Sequence, residues 1–198
     1  MENSEVSLKG ENKEIAEISN IEFVDGKIKV KGDDLTPISR ASYSVGHFQN
    51  DICASCWFNF LSYYLVHIKE LSTVNSGWIM LAGQIADAIG TTFVGLLSDK
   101  FDTRFGKRTP WYVVGTIVAT ICFTLIFQSD LFFDKNSSES SVITYFVVNC
   151  SVFNIGWASV QIAHMALLPS LSLSKKRQDK LTRLRTGFTF AAQLISLL

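Results

Sequence analysis

Charge is scarce in this sequence, and it is spread unevenly. Charged residues make up 18% of the 198-residue chain, against 47% hydrophobic and 12% aromatic residues. Half of the eighteen acids and a third of the eighteen bases lie within the first 40 positions. Beyond them, short charged joints separate long apolar runs. That distribution excludes an ordinary soluble domain and is the pattern of a polytopic membrane protein. The net charge of zero averages two solvents and identifies no partner, and no nucleic-acid partner is expected. Also missing is a short basic flank leading into a 7–15-residue apolar core, so no cleavable signal peptide is expected. No cysteine lies in a loop, which leaves a membrane thiol oxidoreductase without relay partners for Cys53-Ala54-Ser55-Cys56. Packing is the expected role of that pair, since a structural zinc site would need a second pair of ligands.

Residues 1–40 read as a cytosolic, mostly disordered tail. Within it "IEFVDGKIKV" alternates around Asp25-Gly26, a local hairpin signal, although an isolated hairpin is marginal in water. Residues 41–198 read as an N-terminal bundle of membrane helices. Four stretches, 43–68, 77–97, 111–131 and 142–168, are long enough to cross a hydrocarbon core of ~30 Å. A fifth begins near Leu184 and stops at Leu198, short of the roughly 20 residues a span needs, so a fragment of a larger bundle is expected. The joint at 99–108 sets Lys100, Arg104, Lys107 and Arg108 against Asp99 and Asp102. The joint at 170–185 holds six bases and one acid, while the alternate joints at 69–70 and 129–141 carry no basic excess. The positive-inside rule therefore places the N-terminus and both basic joints in the cytosol. Asn136-Ser137-Ser138 is an N-glycosylation acceptor on the opposite side.

Polar residues recur inside the apolar runs at helical spacing. His47, Asp51, Ser55, Asn59 and Ser62 share one face of the first span, and Gln84, Asp87, Thr91, Gly95 and Ser98 share one face of the second. In the fourth, Asn154, Trp157, Gln161 and His164 lie close together around the helix axis. Single hydroxyls and amides commonly serve as glue between helices. A carboxylate near the bilayer centre costs ~2.5 kcal/mol or more and normally faces a water-filled path. Asp51 and Asp87 therefore point to a shared aqueous cavity and to transport. His47 and His164 suit proton handling or cavity lining, and no metal or cofactor is expected.

The joint after the second span reads "GLLSDKFDTRFGKRTPW". Its bases satisfy the positive-inside bias, Pro110 suits a helix first turn, and Trp111 and Tyr112 suit the interfacial aromatic belt. Gly95 is expected to let another helix approach closely. Two acids held among four bases exceed what a simple connecting turn requires. This stretch resembles the helix 2–3 loop signature of the major facilitator superfamily, in the longer form found in the glycoside–pentoside–hexuronide symporters. "YSVGHFQNDICASCWFNFLSYYL", "GQIADAIGTTFVGLLSD", "NIGWASVQIAHMALLPSL" and "KLTRLRTGFTFAA" match that branch more closely, and in particular an organelle member linked to cysteine import into lysosomes and melanosomes. The resemblance covers roughly residues 38–198.

That resemblance implies an all-α fold, the N-terminal part of a twelve-helix transporter, about five helices long, built of inverted three-helix repeats. It implies a non-enzymatic secondary transporter working by alternating access, with a conformational latch at Gly95, Asp99, Arg104, Gly106, Lys107 and Arg108. It matches Asp51 to the branch's helix-1 substrate carboxylate and Arg185 to its helix-5 base. Gln161 stands where the sugar-binding carboxylate of helix 4 belongs, and His164 and Asn154 complete the expected substrate set. Asp87 keeps one acid of the sodium site, whereas Thr91 replaces the second. A site stripped of one carboxylate should bind sodium poorly. The partners expected are the lipid bilayer, a small solute (cysteine or a sugar) and a coupling proton or sodium ion. A lysosome-like membrane is the expected location, with the plasma membrane as alternative. The tail holds no acidic dileucine sorting signal.

Overall fold

The computed structural model describes residues 21–24, 27–30, 35–101, 103–134, 137–172 and 174–198. Strands β1 (Ile21–Val24) and β2 (Lys27–Val30) pair antiparallel, with Ile21 opposite Val30 and Phe23 opposite Ile28. This is the register expected from the alternation around Asp25-Gly26. Every other described element is helical.

Helix α1 (Pro37–Val45) starts where sequence chemistry favours it. Pro37 occupies its first turn, and the Thr36 hydroxyl accepts from the Ser39 amide at 3.1 Å. Gly46 and His47 separate α1 from α2 (Phe48–Tyr63), so the predicted span 43–68 is interrupted near its start. A π-helical turn, Tyr64–Ile68, closes α2, with the Lys69 amide donating to the Tyr64 carbonyl at 3.0 Å. The following turn is held by an ion pair between Lys69 and Asp130. Inside it, the buried Tyr64 hydroxyl lies 3.0 Å from Ser129 Oγ. Tyr64→Phe should therefore lower stability by about 1 kcal/mol, read as a lower melting temperature in detergent.

Three helices among the described residues are long and apolar enough to cross a membrane: α3 (Thr73–Lys100), α4 (Thr109–Phe127) and α5 (Glu139–Ala166), the last continuing into a short helix, α6 (Leu168–Leu171). The Ser72 hydroxyl caps α3 by accepting from the Asn75 amide at 3.1 Å. Along α4, Thr116, Thr120 and Thr124 donate to carbonyls one turn back at 2.7–2.9 Å. Their hydroxyls are thus satisfied within the helix, as an apolar surrounding demands. Helix α7 (Lys175–Leu197) begins well before the apolar stretch that marked the fifth span. The joint at 170–185 is therefore helix from Lys175 onward. A helix whose first turns carry Lys175, Lys176, Arg177 and Lys180 is invisible to hydropathy.

Helix α5 is central, with α3 and α4 packed along it, while α1 and α2 pack on α7. Two glycines set the α4–α5 distance. A Cβ at Gly115 would lie 2.8 Å from the Gly156 carbonyl oxygen, and one at Gly156 would lie 2.9 Å from the Ala119 nitrogen. Such approach of backbone to backbone is how membrane helices gain dispersion contact without a hydrophobic driving force. Between α2 and α5, Trp57 stacks on Phe153 with ring centres 5.3 Å apart. This stack belongs to a core that also includes Cys53, Leu61, Ile79, Ile126, Phe146 and Cys150. Trp78, Ile85, Ile89, Phe93 and Leu96 give α3 an exposed apolar face suited to lipid.

Candidate functional site

Near the α1–α2 junction, polar side chains from several helices converge. His47 and Asp51 are four residues apart at the start of α2, so they share a face. Their contact is direct, with His47 Nδ1 at 2.8 Å from Asp51 Oδ1. The second carboxylate oxygen, Oδ2, accepts from the Thr189 hydroxyl of α7, also at 2.8 Å. One turn earlier on α7, an Arg185 guanidinium nitrogen lies 3.4 Å from His47 Nδ1. Arg185 Nε is buried with no hydrogen-bond partner. On the other edge of the imidazole, the Asn50 amide nitrogen is 3.2 Å from Nε2. A carboxylate oxygen can only accept, so Nδ1 carries a proton and donates to Asp51, and Arg185 beside it is a neighbouring charge rather than a donor to that nitrogen.

Helices α1, α4 and α5 complete the enclosure. His164 stacks on Tyr43 with ring centres 4.4 Å apart and lies 5.3 Å from the His47 ring. The Tyr112 hydroxyl donates to the Gly46 carbonyl, and its ring centre is 5.9 Å from that of His164. Gly46 permits this closure, because a Cβ there would lie 3.2 Å from His164 Cε1 and 3.3 Å from the Tyr112 hydroxyl. His47 and His164 are each 2% exposed. Asp51, by contrast, opens onto a cleft of about 440 Å³ between α2 and α7, lined with it by Ser55, Phe58, Asn59, Thr189 and Gln193. Within the cleft, Ser55 Oγ lies 2.5 Å from Ser196 Oγ and accepts from the Asn59 amide at 3.2 Å.

The sequence-selected residues divide sharply on this geometry. Asp51, Arg185 and His164 come together. Gln161, half-buried one turn before His164, does not line the cleft. Asn154 is buried against α3, where its amide donates to the Cys150 carbonyl at 2.8 Å and its nitrogen would lie 2.8 Å from a Cβ at Gly83. Its polar group is thus satisfied by its own helix, in a packed seam rather than a cavity. Asp87 accepts from Thr91 at a long 3.4 Å on α3 and contributes nothing to the cleft that Asp51 lines. The single cavity expected to join the two acids is not formed by these residues. His47, Thr189, Asn50 and Tyr112 were not among the residues selected for the site. His47 was signalled by its helical spacing from Asp51, whereas Thr189 and Tyr112 depend on packing between distant segments.

In the joint between α3 and α4, Arg108 pairs with Asp99 and also donates to Ser98 Oγ. Gly106 has φ 90°, a conformation that favours glycine, and its carbonyl accepts from Thr103 Oγ1 at 2.7 Å. Arg104 lies over the Phe105 ring at 4.8 Å, and Lys107 is exposed. The expectation of a helix closely packed at Gly95 fails within this chain, since a Cβ there would meet nothing within 4 Å. The close approaches occur instead at Gly83, Gly90, Gly115 and Gly156, on faces turned toward neighbouring helices. Asp99 is 65% exposed in its side chain, so solvent screening weakens the pair. Asp99→Asn should change thermal stability by no more than about 1 kcal/mol in a detergent melting assay. Asn136 lies outside the described residues. Among the described residues no group of three or more His, Cys, Asp or Glu is placed to hold a metal, and the four cysteines are free thiols.

A membrane bundle with a buried acid–base cluster and a charged joint after its second long apolar run invites comparison with transporters. The model for the MFS/sugar transport protein family matches residues 42–198. The chain belongs to the major facilitator superfamily. It is 37% identical to human major facilitator superfamily domain-containing protein 12 over 163 residues, covering 81% of this chain and 34% of that relative. It is 27% identical to a lactose permease of Lactobacillus delbrueckii subsp. bulgaricus, over 80% of this chain and 26% of the permease. It is 26% identical to the zebrafish sodium-dependent lysophosphatidylcholine symporter 1-B, over 81% of this chain and 30% of that relative. The chain thus spans between a quarter and a third of the length of these relatives. Members of this superfamily are transport proteins rather than enzymes, and the symporters among these relatives move small molecules.

Proposed function

We propose that this chain forms the N-terminal part of a secondary active transporter that moves a small polar solute by alternating access. The observation that carries the proposal is Asp51, a carboxylate in the first turn of α2, packed in a bundle of membrane-length helices, that is held on both oxygens yet opens onto a cleft. Such a group is expensive to place in a membrane without a water-filled path to serve. The hydroxyls of Ser55 and Thr189 and the amides of Asn59 and Gln193 give the same cleft the hydrogen-bonding lining a polar solute needs.

Cysteine, imported into a lysosome-like organelle, is the leading substrate. The relative named domain-containing protein 12 supports placement beside that branch member. The chemistry is compatible: an ammonium would meet Asp51, and Arg185, one turn from Thr189 and with its buried Nε unpaired, would have to turn toward the cleft to meet a carboxylate. The Asp99–Arg108 joint would act as the latch between two access states, with the N-terminus and both basic joints cytosolic. Cation-coupled sugar symport is the second reading, favoured by the sugar-transport family match and the lactose permease relative. Gln161 in place of a sugar-binding carboxylate weighs against it.

The deciding experiment is uptake of radiolabelled cysteine by vesicles carrying the full-length protein that contains this segment. Melibiose is added as competitor, and sodium is exchanged for choline. Cysteine uptake indifferent to both is the expected result. Uptake of labelled melibiose that needs sodium, with none of cysteine, would overturn the cysteine reading in favour of the sugar.

A further inference from the structure

A second cleft, of about 160 Å³, lies between the start of α1 and the first turns of α7, away from Asp51. Leu35, Arg40, Arg177, Lys180 and Leu181 line it, three bases and no acid. Arg177, Lys180 and Leu181 share a face of α7 because they are three and four residues apart. Among the described residues neither Arg40 nor Lys180 takes part in an ion pair. Asp179 of α7 is exposed and does not line the cleft, and Asp33 and Asp34 lie outside the described residues. Like charges gathered around one hollow repel, and an anion inside it relieves that repulsion. The position of the cleft bears on which anion. Arg177 is eight residues before Arg185, which lies beside His47, so the cleft sits about 12 Å from the Asp51 cluster along α7. The apolar stretch of α7 begins near Leu184, one turn beyond Lys180. That places the cleft just outside the hydrocarbon, at the depth of lipid headgroups.

We propose that this cleft binds the phosphate monoester of an anionic phospholipid in the adjoining leaflet. Arg40 and Lys180 hold the phosphate from two helices, and Arg177 adds a third positive charge. Leu35 and Leu181 meet the apolar part of the lipid next to the phosphate. The proposal rests on the reading above that the bundle crosses a bilayer with this basic joint at one face, and nothing in it depends on which solute is moved. A phosphate monoester carries about −1.5 to −2 charges and three strong acceptor oxygens, which suits three bases better than one. The guanidinium of Arg40 offers a planar fork to two of those oxygens, while Lys180 supplies a compact charge on a flexible stem. Basic pockets between membrane helices are a physical setting for anionic headgroups, since the lipid is already present at high local concentration. The zwitterionic phosphatidylcholine headgroup carries its own cation and competes poorly there. An occupant held from both sides ties α1 to α7, the helices that flank His47 and carry Arg185 and Thr189.

The test titrates short-chain phosphatidic acid into the full-length protein in an uncharged detergent, followed by calorimetry. Glycerol phosphate and short-chain phosphatidylcholine are titrated alongside. Saturable binding of phosphatidic acid, and none of phosphatidylcholine, is the expected result. Arg40→Gln and Lys180→Gln should each weaken that binding by about fivefold, the scale of one base near an anionic headgroup, and Lys180→Arg should keep it. Lys175→Gln and Lys176→Gln remove exposed bases of the same helix that do not line the cleft, and should leave it unchanged. Melting curves without lipid check folding, and Arg40→Gln and Lys180→Gln should match the unmodified protein because neither residue has an ion pair to lose. Equal weakening by Lys175→Gln and Lys176→Gln would reduce the effect to diffuse attraction and reject the cleft. Glycerol phosphate bound as tightly as the lipid would overturn the lipid as occupant in favour of a soluble phosphate compound. Absence of phosphatidic acid binding to folded, unmodified protein rejects the site outright. The readout is binding alone, so it stands or falls independently of any uptake measurement.

Discussion

Gly156→Leu prevents recovery of folded protein from membranes, and Gly156→Ala lowers the melting temperature in detergent by several degrees. Both results are expected from one distance. A Cβ at Gly156 falls 2.9 Å from the Ala119 nitrogen and 3.1 Å from the Gly115 carbonyl oxygen, so what obstructs it is backbone and cannot swing aside. Helices α4 and α5 must separate by several tenths of an ångström, along a crossing where Ala119 is fully buried. Overpacking of this kind costs about 1–3 kcal/mol for a single methyl, and a leucine cannot be accommodated without losing the crossing. Gly115→Ala meets the same obstruction from the other side, so the double variant should cost less than the sum of the two. Gly95→Ala is the control. With nothing within 4 Å of its Cβ, it should leave stability unchanged or raise it by up to about 1 kcal/mol, because alanine favours helix over glycine. A transport defect in a stable Gly95→Ala protein would then place its close neighbour outside this chain.

The long helices were legible because apolar length is a direct consequence of bilayer thickness. The stretch 77–97 lies within α3, and 142–168 nearly coincides with α5. The errors occurred where polarity and helicity part company. The first turns of α7 are basic yet helical, and the break at Gly46–His47 falls in sequence that carries no proline and only one glycine. That break is made by tertiary packing of His164 and Tyr112 against Gly46, which no local pattern encodes.

The site was legible to a similar depth. Periodicity alone put His47 and Asp51 on one face, and the cost of a buried carboxylate marked Asp51 as meaningful. The same periodicity also selected Asn154, whose amide bonds to its own helix here, because such a residue has the same spacing as one facing a cavity. Thr189, the partner of Asp51 on α7, lies 138 positions away in sequence, as Arg185 does from His47. They become neighbours only when α2 packs on α7, so spacing within one helix cannot reveal them.

Asp51→Asn should separate function from fold at this site. Asparagine keeps the shape of the side chain, and its amide oxygen can still accept from His47 Nδ1–H. Its amide nitrogen can then donate to Thr189 Oγ1, whose proton is free to turn to the Arg185 carbonyl 3.3 Å away. Every polar group keeps a partner, so the melting temperature should stay close to that of the unmodified protein. What is lost is the negative charge. A charge-assisted hydrogen bond is worth about 1.5–3 kcal/mol, so uptake at low substrate concentration should fall by about 10- to 150-fold. Asp51→Leu should behave differently. It leaves the buried His47 donor without its acceptor and the Arg185 charge without a nearby counter-charge, and should destabilise the bundle as well as stop uptake. Melting curves and uptake measured on both variants check the argument. Equal loss of stability in Asp51→Asn and Asp51→Leu would make Asp51 a structural ion-pair residue, and full uptake by Asp51→Asn would remove it from the working cleft.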